Sequence, residues 1–171
     1  MSVNVRVLKA FHGDCIFITV ESGTVTERIL IDGGPEATFG VSPQGELRCL
    51  LNELEAEGKQ IDLVMLTHVD DDHIGGLIKA FEVKDGLTKL ARKVIFNSGQ
   101  LIHEHFKVPV DSNKDILGNF TQSQNTSFKQ GNTLEQLLKD LGIWHRNVIK
   151  QGEKISLQGC ELICLTPNRS E

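Results

Sequence analysis

The sequence predicts an α/β fold, with helices packed on a sheet around one core. Three observations carry that expectation. Short apolar runs of strand character intermix with helical periods along the chain. Residues 63–66, Leu-Val-Met-Leu, have no polar interruption, as in a strand buried on both faces. That run gives way abruptly to Thr67, His68, Val69, Asp70, Asp71, Asp72 and His73, then Gly75-Gly76, at the carboxyl end of a strand where open α/β sheets bind ligands.

Taken in order, Val3, Val5 and Val7 alternate with Asn4 and Arg6, the period of a half-buried strand, and the chain turns at His12-Gly13. Residues 15–20 form a second strand, broken by Ser22-Gly23-Thr24. A third strand, 28–31, runs into Asp32-Gly33-Gly34, where two residues free to adopt positive φ let a carboxylate approach another loop. A helix entered at Pro43 places Leu47, Leu50, Leu51 and Leu54 at i, i+3, i+4, i+7 and stops at Gly58. It leads through Ile61 to the 63–66 strand, so strand, helix and strand make a βαβ unit suited to parallel pairing. Residues 74–81 form a short helix whose N-terminus faces the acidic loop and favours anions there.

Residues 94–97 are another short strand, followed by Ser98-Gly99. Residues 101–131, dominated by polar side chains without a period, predict a substrate-facing flap or a mobile insertion. A helix over 133–141 aligns Leu134, Leu137, Leu138 and Leu141, ends at Gly142, and is packed onto the sheet by Trp144. Residues 148–149 and 155–157 are short strands. Gln158-Gly159 then turns the chain into a last strand, 160–165, with Cys160, Leu162 and Cys164 on one face.

At 171 residues and 19.0 kDa, the chain fits a single domain spanning 1–171. A chain of this size buries about 70% of its unfolded surface on folding. With 39% hydrophobic and 24% charged residues it is not a disordered chain. No apolar run reaches the roughly 18 residues of a membrane span, and the N-terminus lacks a secretory pattern, so a soluble, cytoplasmic protein is expected. A net charge of −5 argues against a broad footprint for duplex DNA. Lys79, Lys84, Lys89, Arg92 and Lys93 form a local basic stretch that a solvated helix face explains as well as nucleic acid does. Cys15, Cys49, Cys160 and Cys164 read as reduced thiols packed in the core.

The loop at 67–73 carries the chemistry. Consecutive carboxylates on Asp70, Asp71 and Asp72 repel one another unless a cation neutralises them. His68 and His73 flank them, and mixed nitrogen and oxygen donors suit Zn²⁺, with Mn²⁺ or Fe²⁺ as competitors. In an extended segment, residues 68, 70 and 72 project to one side, His73 approaches from the mouth of the next helix, and Asp71 points away as a helix N-cap. A merely capping turn needs one carboxylate and explains neither histidine. His103-Glu104-His105 has no further donors nearby and reads as a solvated polar stretch.

The string His68-Val69-Asp70-Asp71-Asp72-His73 followed by Gly75-Gly76 resembles the HxHxDH signature of metallo-β-lactamase-fold hydrolases, with Asp70 at the second His. The change is similar to the HxDxDH loop of DNA-uptake competence proteins. Gly13-Asp14-Cys15 resembles the family's early Gly-Asp-small element, and the segment ending in Asp32-Gly33-Gly34 its strand-Asp-Gly element.

The resemblance implies a four-layered αββα sandwich of two similar halves, of which this chain carries the N-terminal part, incomplete at its C-terminus. It implies two ions, zinc foremost, with His68 and Asp70 on one and Asp72 and His73 on the other. Asp72 also holds the attacking water and is the catalytic residue, while Asp14 and Asp32 stand behind the ligands. The family's bridging Asp and distal His have no match: after His73 there is no Gly-Asp pair, and the histidines are His103, His105 and His145. A phosphodiester or nucleotide fits the competence-like variant, with lactams, thioesters and other esters open on fold analogy. The alternative is a catalytically incomplete module that binds metal or a partner, and either self-associates or joins the remainder of its protein.

Overall fold

In the computed structural model, which describes residues 1–40, 42–106 and 122–166, the first strands form an antiparallel meander. These are β1 (Ser2–Val7), β2 (Ile16–Ser22) and β3 (Val25–Ile31). Two helices follow, α1 (Glu36–Phe39) and α2 (Glu46–Ala56), and the chain returns as β4 (Leu63–Met65), parallel to β3, as the βαβ reading requires. Next come α3 (Asp71–Glu82), α4 (Leu87–Leu90) and β5 (Val94–Ile95), which pairs parallel with β4 and completes a five-stranded sheet in the order β1-β2-β3-β4-β5. Beyond it lie α5 (Gly99–Phe106), α6 (Gln122–Leu141), β6 (Lys154–Ser156) and β7 (Glu161–Ile163), the last two forming a separate antiparallel pair.

Side chains alternate across a strand, so this sheet has two apolar faces. Phe17, Leu30, Val64 and Val94 face the helices and pack with Leu47, Leu51, Ile74, Leu77 and Leu138. Ile29, Leu63 and Ile95 face the other way, beneath Ile155 and Leu162 of the β6–β7 pair. Each fully buried Leu or Ile stabilises the fold by about 1.5–3 kcal/mol. The layers are therefore helices, a mixed sheet, and a small second sheet.

Position in the fold overrides several local expectations. β1 is not half-buried: Val3, Val5 and Val7 are 54, 56 and 72% exposed. It is the edge strand, and the residues packed under the β6–β7 pair run from Ile18 on β2 to Ile95 on β5, short of β1. The opposite side of β1 is polar, with Arg6 paired to Glu53 of α2 at 2.7 Å. The helix expected from Pro43 starts at Glu46, where the Gly45 carbonyl accepts the Cys49 N–H.

Both described ends of the expected flap are helical. Ser98 Oγ accepts the Leu101 N–H at 3.0 Å and caps α5, and Leu101 is buried. The helix expected from 133 already runs from Gln122 as α6. Among its described side chains, Leu134 and Leu138 are fully buried and anchor α6 in the core. Residues 107–121 of that stretch lie outside the described residues.

Residues 148–149 are not a strand, because the Asn97 side chain takes both backbone groups of Ile149. Asn97 Nδ2 donates to the Ile149 carbonyl at 2.7 Å and Oδ1 accepts its N–H at 2.8 Å. Trp144 does tie α6 to the sheet: it stacks on Phe96 at 5.2 Å and lies under Lys139. All the cysteines are free thiols, yet only Cys15 is buried, and the others are partly exposed. In the basic stretch, Lys79 pairs with Glu36 and Glu82, Lys89 with Glu55 and Asp85, and Arg92 with Asp62, so those charges are balanced locally.

Candidate metal centre

The site is built where β3, β4 and α3 converge. Asp32 follows β3 at φ +57°, a conformation that Asp tolerates better than most residues, and it is 2% exposed. Its N–H donates to the Met65 carbonyl and its carboxylate reaches across to the chain leaving β4. Oδ1 accepts the Thr67 N–H at 2.8 Å, and Oδ2 accepts the Thr67 hydroxyl at 2.7 Å and His73 Nδ1–H at 2.9 Å. The Gly33 N–H donates to the His73 carbonyl and the Gly76 N–H to the Gly34 carbonyl. This backbone approach explains the paired glycines: a Cβ on Gly76 would lie 2.1 Å from the Gly33 carbonyl oxygen.

His68, Asp72 and His73 each offer a donor atom, and these atoms all lie within 4.8 Å of one another. The two imidazoles have ring centroids 3.8 Å apart, and His73 Nε2 is 3.8 Å from Asp72 Oδ2. Because His73 gives its Nδ1 proton to Asp32, a neutral imidazole presents Nε2 as a bare lone pair to its neighbours. Two nitrogens and a carboxylate oxygen form a donor set that fits a divalent cation. His73 is buried, Asp72 half-buried and His68 exposed, so the cluster opens to solvent on one side.

Asp70 lies at the edge of this group. Its Oδ2 is 3.7 Å from His68 Nε2, but it is not among the three residues whose donors converge. Asp71 is helical, in the first turn of α3, and Asp70 holds the N-cap position without a side-chain capping bond, which corrects the N-cap expectation for Asp71. Asp71 does point away from the cluster, accepting a hydrogen bond from Gln130 of α6. Asp14 and His12 are exposed, and among the described residues Asp14 makes no hydrogen bond or ion pair. Gly13 between them presses on the metal loop, where an added Cβ would sit 1.7 Å from the Asp72 carbonyl oxygen. His145 Nε2 accepts from Asn147 Nδ2 at 3.1 Å, and burial pushes its pKa down. Among the described residues, neither it nor His103 or His105 joins the cluster.

Sequence reasoning passed over the part played by Thr67 and the packing of Gln130 and Gly131 against the loop. The signal for Thr67 was its place directly before His68. Behind it an apolar cavity of about 320 Å³, lined by Ile31, Met65, Phe96, Ile155 and Leu162, lies between the two sheets.

The fold and site thus define an α/β protein with a His-Asp-His cluster at the carboxyl end of its strands, backed by a buried carboxylate and able to hold a divalent cation. The chain belongs to the Metallo-beta-lactamase superfamily, whose family description matches residues 8–118. Among solved structures, it is similar to the hydrolase AbOPH of the beta lactamase superfamily, at 21% identity and a TM-score of 0.39, over 77% of this chain and 42% of that one. It is also similar to the metallo-beta-lactamase SMB-1 in complex with mercaptoacetic acid, at 15% identity and a TM-score of 0.40, over 91% of this chain and 51% of that one. The chain thus spans about half the length of these structures or less. No curated protein matches it. No helix among the described residues is long and apolar enough to cross a membrane.

Proposed function

We propose that this chain is the N-terminal part of a metal-dependent hydrolase that cleaves a phosphodiester or another ester with water. The observation that carries the reading is the convergence of His68, Asp72 and His73 donors within 4.8 Å, with His73 held from behind by Asp32. In a complete site His68 and Asp70 would hold one ion, Asp72 and His73 the other. The nitrogen and oxygen donors suit Zn²⁺, and the excess of carboxylate lets Mn²⁺ or Fe²⁺ compete. When bound, the ion supplies Lewis acidity that lowers the pKa of a water and polarises the scissile group. Asp72, half-buried beside the exposed His68, would accept a hydrogen bond from the attacking water and orient it. Asp32 keeps the His73 proton on Nδ1, and the Gly13-Asp14 turn supports the loop from the side of β1. Free thiols suit a cytoplasmic protein.

A second reading, a catalytically incomplete module that binds metal or a partner, is favoured by one observation. Among the described residues the cluster offers three donors and no candidate for a bridging Asp or distal His. The exposed valines of β1 then mark where a second copy, or the rest of the protein, covers the sheet.

The test is titration with Zn²⁺ and Mn²⁺, followed by phosphodiesterase and esterase assays with each ion and mass by light scattering. Metal at about 100 times its Kd should raise the melting midpoint by roughly 5–10 °C. Asp72→Asn should abolish that rise. If neither ion shifts the midpoint and Asp72→Asn changes nothing, the metal site is wrong. Tight metal binding without turnover selects the binding module, and robust turnover from a strict monomer removes it.

A further inference from the structure

We propose that Thr67 is a positioning residue that sets the tautomer of His68, so that the single carboxylate of Asp32 orients both imidazoles of the cluster. The inference rests on the reading of His68 and His73 as ligands, but its core is a proton count. Thr67 Oγ1 lies 2.7 Å from Asp32 Oδ2 and 2.9 Å from His68 Nδ1. A hydroxyl has one proton to give. With Asp32 as carboxylate, that proton belongs on the Oδ2 side, because two acceptors 2.7 Å apart with no proton between them repel. Toward His68 the hydroxyl oxygen can then only accept, so Nδ1 carries the proton of a neutral imidazole. His68 Nε2, the nitrogen 3.7 Å from Asp70 Oδ2, is left as a bare lone pair.

The same carboxylate takes His73 Nδ1–H directly at 2.9 Å. Both rings therefore present the same nitrogen, one by contact and the other through Thr67. Thr67 is well suited to transmit this setting. Its N–H is clamped on Asp32 Oδ1 while its hydroxyl sits on Oδ2, and its β-branched side chain is stiff at χ1. His68 needs the help: its side chain is 48% exposed, whereas that of His73 is 10% exposed. A free neutral imidazole favours the Nε2–H form, the form that cannot ligate through Nε2.

Two variants isolate the hydroxyl. Thr67→Val keeps the shape and removes the group; Thr67→Ser keeps the group. Two-bond ¹H–¹⁵N spectra of the metal-free protein at about pH 8, above the ordinary histidine pKa, report each tautomer, and zinc titration reports affinity. Wild type should show Nδ1–H on both rings. Thr67→Val should move His68 toward Nε2–H, leave His73 unchanged and weaken zinc about 10–100-fold, the usual consequence of losing a residue behind a ligand. Thr67→Ser should restore both readouts. Nε2–H on His68 in wild type overturns the proposal, as does a Thr67→Val protein with unchanged His68 tautomer and zinc affinity. Should Thr67→Val fail to fold, the wild-type and Thr67→Ser spectra decide. Both rings as Nδ1–H in a protein that binds no zinc would uphold the Thr67 assignment and remove the hydrolase reading instead.

Discussion

Asp32→Asn is the sharpest perturbation of this site, because it changes the placement of protons and little else. The backbone stays at φ +57°, which Asn adopts as readily as Asp, so no strain is added. The carboxylate satisfies three donors with two oxygens, whereas an amide has one oxygen and a donor group. If the amide oxygen stays on the Thr67 N–H, the NH₂ faces Thr67 Oγ1 and His73 Nδ1. It then donates to the imidazole and drives the His73 proton onto Nε2, the nitrogen 3.8 Å from Asp72. If the amide flips, it meets the Thr67 N–H donor to donor. The first arrangement keeps these groups paired only by reversing the His73 tautomer, and the flipped one leaves the buried Thr67 N–H unpaired, at about 1–3 kcal/mol. For a chain of this size that lowers the melting midpoint by roughly 2–12 °C. The reversed tautomer should weaken metal about 10–100-fold. Calorimetric zinc titration of both proteins, with thermal melts of the metal-free forms, measures these effects. A D32N variant that binds zinc as tightly as wild type and melts at the same temperature would refute the argument.

Three further outcomes follow from other parts of the structure. Gly13→Ala puts a Cβ 1.7 Å from the Asp72 carbonyl oxygen, so the β1–β2 turn must lift off the metal loop. Overpacking of this kind costs about 1–3 kcal/mol, and an unshifted melt would show the contact to be soft. Asp71→Asn should keep metal affinity and stability within about 1 kcal/mol, since its side chain faces Gln130, whereas Asp70→Ala should lose affinity; calorimetry giving the opposite order reverses the assignment. Burial pushes the Cys15 thiol up from 9.0 to about 12. Folding therefore favours the protonated form: that contribution is intact below pH 9.0 and is lost as pH rises toward about 12. Cys15→Ala should flatten the alkaline loss in pH-dependent melts. Thiol reagents at about pH 8, near the ordinary thiol pKa, should modify Cys49, Cys160 and Cys164 in the native protein, and Cys15 only after unfolding.

The clustering of candidate donors was legible because they lie within six consecutive residues at the end of an apolar strand, so local spacing already brings them together. The same holds for the Leu47-Leu50-Leu51-Leu54 stripe and for the parallel return of β4, which a helix-length crossover imposes. Asp32 was legible as a carboxylate at a strand end. Its partners were not, since they come from Thr67 and His73, 35 and 41 residues away.

What remained hidden depended on neighbours that no local pattern encodes. Among Asp70, Asp71 and Asp72, an extended loop sends alternate residues to one side. The chain instead enters α3 at Asp71, and helical rotation brings Asp72 in with His68 and His73 while Asp71 turns to α6. The Val3-Val5-Val7 alternation has the period of a half-buried strand, but burial needs a covering layer, and the β6–β7 pair stops short of β1. Residues 148–149 have strand composition, yet the Asn97 amide took their hydrogen bonds first. Composition and spacing by themselves determined the class of fold and brought the candidate donors into one loop, because both arise from contacts near in sequence. Which carboxylate converges with the two imidazoles, which nitrogen His73 turns to Asp32 and which sheet face is covered were decided only in the tertiary structure, where residues distant in sequence compete for the same few donors and acceptors.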